Sequence, residues 1–277
     1  MRSKLNLWLY RTISGHRHGR PARAFATGAR KYLAAFEHSS ADARFNGEFD
    51  LLDRLASDES FVLIDCGANI GGWAKAARAR FPRATIHAFE PIPETVAALL
   101  RSTENDPLTF VHSTALSDSI GRSTMGVDDG DRATASLTTL PSQPTRRNVD
   151  VSMTTGDEFL TTMSVARIHL LKIDAEGHDL AVLRGFRSAL SRAAIDVIQF
   201  EVSGWNAVSR TWLGEFYDLL TRCGYEVGQL VPGAAELKPY ESSIERFDRT
   251  GNFVAVRSDN PALRAQVAGK LSKANPA

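Results

Sequence analysis

The sequence has few cysteines, no long apolar run and almost no net charge. Its only two cysteines, Cys66 and Cys223, are too few for a disulfide framework, so we expect a reducing, cytoplasmic environment. Apolar runs are short, as in 168–173 and 197–202, whereas a helix that crosses a bilayer needs roughly 18 to 20 residues, so no transmembrane helix is predicted. A formal net charge of +1 gives no global field to attract a polyanion, and we expect no nucleic-acid partner.

Charge is unevenly distributed along the chain, because residues 1–31 contain eight lysines and arginines and no acidic residue. Leu, Trp, Tyr and Phe residues are interleaved with these bases, and we define residues 1–48 as a basic N-terminal helical extension. Two interpretations are open: peripheral contact with a membrane at its inner face or with an acidic partner, or a helix packed on the main domain with a solvated basic face. A cleavable secretion signal is disfavoured, because Arg11 interrupts the apolar stretch after Lys4.

What the chain does contain is an apolar strand that runs into a glycine-rich turn, over residues 61–72. Gly67 and Gly71 have no Cβ, so the turn can adopt left-handed backbone angles and let a ligand lie against the main chain. Glu90 closes the next predicted strand, roughly 20 residues beyond the glycines, where dinucleotide-binding folds place an acid on the ribose hydroxyls. These features predict a nucleotide-like cofactor, and the carboxylate disfavours NADP because it would repel a phosphate.

Predicted strands and helices alternate through much of the chain, which indicates an α/β, Rossmann-like fold. The predicted strands are 61–65, 85–89, 108–111, 167–173, 195–202, 225–230 and 252–257, and the predicted helices are 73–80, 94–101, 179–190 and 212–223. Residues 118–155 are rich in Ser, Thr, Gly and Asp, and we expect short strands and loops there. We place the main domain at 49–258 and a loosely held C-terminal tail at 259–277.

Five motifs follow one another in a distinctive order: Asp65-Cys-Gly-Ala-Asn-Ile-Gly, Phe89-Glu-Pro, Ala115-Leu-Ser-Asp, Lys172-Ile-Asp-Ala-Glu-Gly with Leu183-Arg-Gly after it, and Phe200-Glu201. Together they resemble the FkbM family of S-adenosylmethionine-dependent methyltransferases over about residues 49–257. The chain has Gly156-Asp157-Glu158 where the family usually has Leu-Asp-Asp, and Asp179 where Glu is common. Both departures keep an acid.

The resemblance implies a class I methyltransferase fold, with a mostly parallel sheet that ends in an antiparallel hairpin. It implies S-adenosylmethionine as cofactor and O-methylation of a hydroxyl on a sugar, glycan or glycolipid, with a non-sugar natural product as the alternative acceptor. The residues alone leave two other hypotheses, a nicotinamide-dependent oxidoreductase and a non-catalytic binding module. The standard glycine spacing of the former is incomplete here.

Carried over by position, the resemblance implies a set of cofactor-binding residues. Glu90 would accept hydrogen bonds from both ribose hydroxyls, and the glycine turn would line the methionine part. Asp118 is either a partner of the adenine amino group or the cap of the turn before Gly121. The implied set is Asp65, Gly67, Asn69, Gly71, Glu90 and Asp118.

The catalytic candidates follow the predicted strand 167–173, at the sheet edge where open α/β sheets bind ligands. Asp174 and His178 are candidates for the base that takes the proton of an acceptor hydroxyl, with Asp174 better placed. His178 could instead open the next helix with its ring in solvent. Lys172 completes the catalytic set, and we expect it to pair with the neighbouring acids.

A divalent cation is a further possibility at the same edge. Asp174, Glu176 and Glu201 follow neighbouring predicted strands, and carboxylate oxygens are ligands that hard cations prefer. The other interpretation is that these acids cap loops and pair with Arg or Lys. The sequence leaves the oligomeric state open.

Overall fold

The structure is a computed structural model that describes residues 2–40, 42–128, 137, 146–245 and 250–270. Its strands are β1 Val62–Cys66, β2 Thr85–Phe89, β3 Thr109–His112, β4 Ala115–Ser117, β5 Gly121–Asp128, β6 Arg146–Thr155, β7 Ile168–Ile173, β8 Ile195–Val202, β9 Tyr225–Val231, β10 Ala234–Leu237 and β11 Gly251–Arg257. Its α-helices are α1 Arg2–His16, α2 Arg20–Phe36, α3 Glu48–Leu55, α4 Gly72–Arg80, α5 Pro93–Thr103, α6 Gly156–Thr162, α7 Asp179–Gly185, α8 Arg187–Ser191, α9 Gly204–Ser209, α10 Leu213–Arg222 and α11 Pro261–Ala268.

Eight strands form one sheet in the order β10-β9-β11-β8-β7-β1-β2-β3. Five neighbouring strands of this sheet, β3, β2, β1, β7 and β8, are parallel to one another. The strand β11 is antiparallel to both β8 and β9. This confirms the predicted class I methyltransferase fold, with a mostly parallel sheet and an antiparallel hairpin near its end. The strand order reverses between β1 and β7, and the carboxyl ends of these two strands form the crevice where such sheets bind ligands.

The central strands are buried on both faces, which explains their unbroken apolar sequences. Ile64, Leu171 and Ile198 face one hydrophobic cluster, against α7, α8 and α10. Their neighbours Leu63, Leu170 and Val197 face a second cluster, against α3, α4 and α11. The alternation follows from the two-residue period of a strand, and both clusters together fix the position of the carboxyl edge.

The helix predicted over 179–190 is wrong as one element, because the chain breaks at Phe186 into α7 and α8. Phe186 has no exposed surface, and a Cβ on Gly156 would lie 2.2 Å from its ring. The Asp157 carboxylate accepts hydrogen bonds from the amides of Ser188 and Ala189 at 2.7 and 2.9 Å, which caps α8. Gly156, which stands where the family usually has Leu, and Asp157 therefore both stabilise this junction.

A small second sheet, in the order β4-β6-β5, occupies the segment that was predicted as short strands and loops. Its strands β5 and β6 are long rather than short, pairing Gly121 with Met153 at one end and Asp128 with Arg146 at the other. The connection between them, 129–136 and 138–145, lies outside the described residues.

The predicted loose tail is wrong for residues 261–268, which form α11. Asn260 caps this helix by accepting a hydrogen bond from the Leu263 amide at 3.1 Å, and Val267 is completely buried in the second cluster. Residues 271–277, also in the predicted tail, lie outside the described part of the chain.

The N-terminal extension contains the helices α1 and α2, and α2 packs only loosely. The helix α2 has no buried side chain, and aromatic rings of both helices are exposed, with Trp8 at 62% and Phe25 at 76%. For α2 this exposure favours the first interpretation, a surface contact, over a helix packed on the main domain. Among the described residues, the structure has no helix with the length and apolar character needed to span a membrane.

Candidate active site

The glycine turn after β1 has the left-handed backbone that the sequence predicts. Gly67 and Gly71 have φ angles of +76° and +87°. A Cβ on Gly67 would lie 1.9 Å from the backbone oxygen of Asp174, so the turn can pack against the end of β7 only with glycine at this position. The amides of Gly67 and Ala68 both donate to the Phe89 carbonyl, at 3.0 and 2.9 Å. The turn is thereby fixed between the carboxyl ends of β2 and β7.

Glu90 lies beside this turn and is only 7% exposed. Its two carboxylate oxygens accept hydrogen bonds from the amides of Ile92 at 2.9 Å and Asn69 at 3.1 Å. Burial raises the pKa of Glu90 to about 6, although these hydrogen bonds oppose the shift. Each carboxylate oxygen retains a further lone pair, so the group can still accept hydrogen bonds from a vicinal diol.

Two cavities meet at Gly67 and Glu90. The larger has a volume of about 360 Å³ and a polar floor that includes Asn69, Lys172 and Asp174. The smaller is lined mainly by apolar residues, among them Phe89, Leu116, Met125 and Leu137. The arrangement offers one polar and one apolar compartment on either side of a buried carboxylate.

Among the described residues that line the larger cavity, Lys172 is the one cation, and it is 6% exposed. Its Nζ lies 3.3 Å from Asp65 Oδ1 and 3.3 Å from Asp174 Oδ2, and it donates to the Gly67 carbonyl at 3.4 Å. Burial alone would lower the pKa of Lys172, but the charges of Asp65, Asp174 and Glu48 raise it. The ammonium therefore stays charged and joins β1 to β7.

Asp65 does not line either cavity. Its side chain has no exposed surface and faces Lys172, and burial raises its pKa. The prediction that Asp65 binds the cofactor directly is therefore wrong in this structure. The carboxylate instead forms an ion pair with Lys172, which lines the cavity.

The motif after β7 forms a tight turn closed by Asp179. Glu176 and Gly177 have left-handed φ angles of +49° and +87°. The Asp179 carboxylate accepts hydrogen bonds from the amides of Gly177 at 3.1 Å and Ala175 at 3.3 Å. Burial, together with the charge of Asp174, raises the pKa of Asp179 to about 7. This turn leaves the side chain of Asp174 37% exposed and places it at the cavity.

The predicted three-carboxylate cation site is not formed. Among the described residues, no group of three or more His, Cys, Asp or Glu side chains is arranged to hold a metal ion. Asp174 pairs with Lys172 instead, and burial raises the pKa of Glu201, with further contributions from Asp174, Asp179 and Glu176. Lysine pairing and carboxyl protonation, rather than three converging ligands, moderate the negative charge at this edge.

His178 lies on the opposite side of the turn from the position expected of a catalytic base. It lines the smaller, apolar cavity, and its Nε2 is 2.9 Å from Ser117 Oγ. Burial lowers the pKa of His178, against the charge of Asp118. The structure therefore separates His178 from Lys172 and Asp174, which line the larger cavity. Asp118 itself is exposed and reaches this network through Ser117, at 3.3 Å.

Sequence reasoning missed one wall of the larger cavity, which the segment before β1 supplies. Ala43, Glu48 and Phe49 line it. Glu48 accepts hydrogen bonds at 2.6 Å from Gln199 on β8 and at 2.6 Å from Asn46. The available signal was the helical spacing of the buried leucines of α3, which predicts a helix but not its position over the cavity.

Comparison with known proteins shows which family has this site and fold. The model of the methyltransferase FkbM domain matches residues 65–227, which is more than half of the chain. The chain belongs to the FkbM methyltransferase family. This membership confirms the resemblance seen in the motifs and excludes the nicotinamide-dependent oxidoreductase hypothesis.

Individual proteins similar to this chain include two methyltransferases whose names give a substrate. The chain is 28% identical over 156 residues to the hexuronic acid methyltransferase AglP of Haloferax volcanii, covering 55% of this chain and 62% of that protein. It is 28% identical over 156 residues to the 31-O-demethyl-FK506 methyltransferase FkbM of Streptomyces tacrolimicus, covering 46% of this chain and 60% of that protein. The match thus spans about three fifths of the length of each relative.

Among solved structures, precorrin-6y C5,15-methyltransferase of Geobacter metallireducens superimposes with a TM-score of 0.43 and 13% identity, covering 75% of this chain and 86% of that chain.

The cofactor implied by the FkbM family is S-adenosylmethionine, and the described residues fit it. Gly67 lines both cavities, and as a glycine it presents main chain rather than a side chain to them. Glu90 is a buried acceptor for ribose hydroxyls, between a polar compartment suited to the charged methionine part and an apolar one whose lining suits adenine. The apolar compartment has a volume of about 50 Å³ and must widen to admit the base. Gly67, Asn69 and Glu90 would therefore hold the cofactor.

Proposed function

We propose that this protein is an S-adenosylmethionine-dependent O-methyltransferase that acts on a hydroxyl of a sugar, glycan or glycolipid. The observation that supports it most is the position of Glu90 between the two compartments, with Asp174 exposed in the polar one. The hexuronic acid substrate named for AglP supports a sugar acceptor.

The cofactor supplies an electrophilic methyl group, and the protein's task is to hold the acceptor oxygen in line with it. In this proposal Asp174 accepts a hydrogen bond from the acceptor hydroxyl and takes its proton as the oxygen attacks. Lys172, 3.3 Å away, fixes the carboxylate and is itself held by the buried Asp65. Lys172 and Asp65 are then positioning residues, and Asp174 is the catalytic one.

A second acceptor class is a hydroxyl of a non-sugar natural product. The substrate named for the Streptomyces relative favours it, at an identity similar to that of AglP. Both classes require the same base and the same in-line geometry, so the acceptor and not the chemistry separates them.

We place the reaction in a reducing compartment such as the cytoplasm. Cys66 is buried and Cys223 half-buried, and neither takes part in a disulfide. Free thiols of this kind are typical of reducing environments.

The test is to incubate the protein with methyl-labelled S-adenosylmethionine and three acceptor pools: hexuronic-acid glycans, glycolipids, and polyhydroxylated natural products. We expect label on a sugar hydroxyl, located by mass spectrometry, and its loss in Asp174→Asn. Label on the natural products alone would select the second class. Cofactor binding without transfer to any pool would favour the non-catalytic module, and absence of cofactor binding would contradict the proposal.

A further inference from the structure

The helix α2 carries an aromatic stripe, formed by Phe25, Tyr32 and Phe36. These residues are separated by seven and four positions, so they lie on one face of the helix. The three rings are 76%, 69% and 69% exposed, and the last two stack with their centroids 6.2 Å apart. No residue of α2 is buried. An apolar face of this kind in contact with water indicates a binding surface.

The other face of α2 is basic. The helical period places its four cations, Arg20, Arg23, Arg30 and Lys31, opposite the aromatic stripe. Residues 1–36 carry eight lysines and arginines and no acid, whereas the rest of the chain has seven more acidic than basic residues. The positive charge is therefore segregated on α1, α2 and the turn between them.

We propose that α1 and α2 dock on an anionic membrane surface and hold the carboxyl edge of the sheet toward it. A bilayer interface accepts both faces of α2 at once, because aromatic rings enter the acyl boundary while lysines and arginines remain at the anionic headgroups. A second copy of the chain would bring two strongly basic segments together, and their repulsion disfavours it.

The orientation follows from the short segment that joins α2 to the active site. Directly after Phe36, the Glu37 carbonyl accepts a hydrogen bond from Gln229 Nε2 at 3.1 Å. Ser39 Oγ then donates to the Thr250 carbonyl at 2.6 Å, just before β11. These contacts tie the segment to the hairpin strands β9 and β11.

The same segment continues into the wall of the larger cavity. Ala43 lines the cavity only seven positions after the last ring of the aromatic stripe, and Glu48 is anchored by Gln199 on β8. The site and the aromatic stripe are thus joined through a few hydrogen-bonded residues. This geometry suits an acceptor presented at a membrane surface. That consequence rests on the proposed methyl transfer, whereas the docking of α1 and α2 does not depend on it.

The experiment is co-sedimentation of the full chain with vesicles, without cofactor or acceptor. We expect binding to vesicles of phosphatidylcholine and phosphatidylserine at a ratio of about two to one, and little binding to phosphatidylcholine alone. The variant R23Q/R30Q/K31Q should partition on the order of a hundredfold more weakly, since each base near an anionic surface contributes about fivefold. The variant F25S/Y32S/F36S should bind these vesicles about tenfold more weakly, or weaker still.

The matched control is L100S/R101Q on α5, which changes an exposed apolar residue and an exposed base of the main domain. We expect its partition to equal that of the wild type. Equal binding to both vesicle types, or unchanged binding of either α2 variant, would overturn the docking proposal. Absence of vesicle binding combined with a dimer that F25S/Y32S/F36S dissociates would assign the surface to a second copy instead.

Orientation is tested with fluorophores in a Cys223→Ser background and nitroxide-labelled headgroups. Ala207→Cys on α9 lies at the carboxyl edge, and Glu59→Cys before β1 lies at the amino edge; both positions are exposed. We expect stronger quenching at position 207. Equal or reversed quenching would contradict the orientation, and methyl-transfer activity does not enter this measurement.

Discussion

The Nζ atom of Lys172 lies 3.3 Å from Oδ1 of Asp65, a carboxylate with no exposed surface, and 3.3 Å from Asp174 at the cavity. One ammonium therefore compensates a buried charge and positions the residue assigned to proton transfer. Removal of one partner of such a buried pair is costly because the other charge stays buried.

Lys172→Met should destabilise the fold by about 3 to 5 kcal/mol, because Asp65 would lose its counter-ion. Urea unfolding measures this loss. The double variant D65N/K172M should recover much of it, since no uncompensated carboxylate remains. Equal stability of the single and double variants would contradict the pairing.

Asp174→Asn should lower kcat by about 10² to 10⁴, because a positioned base contributes that range. Calorimetry should show cofactor affinity close to that of the wild type. Asp118→Asn, which changes an exposed acid that lines neither cavity, is the comparison and should retain most of kcat. Full turnover in the Asp174 variant would remove its catalytic role.

Gly67→Ala should destabilise the protein by more than about 2 kcal/mol, because its φ is +76° and the new Cβ would collide with the Asp174 carbonyl. Gly72→Ala is the matched control, since a Cβ there meets no atom within 4 Å. Thermal unfolding of the two variants makes the comparison. A similar midpoint for both would mean that the turn is not constrained as described.

Cofactor affinity should rise with pH through about 6, the pKa to which burial raises Glu90. Above that pH the ionised carboxylate can accept from both ribose hydroxyls, and below it one oxygen carries a proton. Titration of S-adenosylhomocysteine between about pH 5 and pH 8 measures this dependence. Glu90→Gln should bind weakly with a flat profile, and an unchanged pH profile would argue against the ribose contact.

Asp179 should make the fold less stable as pH rises. Its pKa is about 7 in the folded protein against 3.8 for the free group, so the folded state keeps a proton that the unfolded state has lost. The contribution of this group to the free energy of unfolding is fully present below about pH 4. It decreases as the pH rises through 7, by at most about 4 kcal/mol in total. Asp179→Asn should lose that part of the pH dependence in urea unfolding, whereas the exposed Asp218→Asn should retain it.

The sheet and the cofactor crevice could be predicted because their signals are local. The strands β1, β7 and β8 are buried on both faces, so they read as unbroken apolar runs of strand length. The glycine turn needs positive φ, which restricts the residue type at Gly67 and Gly71 directly. Glu90 follows from its distance along the chain to that turn.

The features that the sequence did not predict depend on contacts between distant parts of the chain. The break at Phe186 needs Gly156 and Asp157, about 30 positions earlier, and helical periodicity does not contain that contact. His178 likewise meets Ser117, 61 positions earlier in the chain, and not the acceptor side. Glu48 reaches the site through Gln199, 151 positions away.

A crystal structure with S-adenosylhomocysteine tests the cofactor site most directly. We expect both ribose hydroxyls within hydrogen-bonding distance of Glu90, adenine in the apolar cavity beside His178, and the sulfur on the side of Lys172 and Asp174. A ribose turned away from Glu90, or adenine seated in the larger cavity, would contradict this placement.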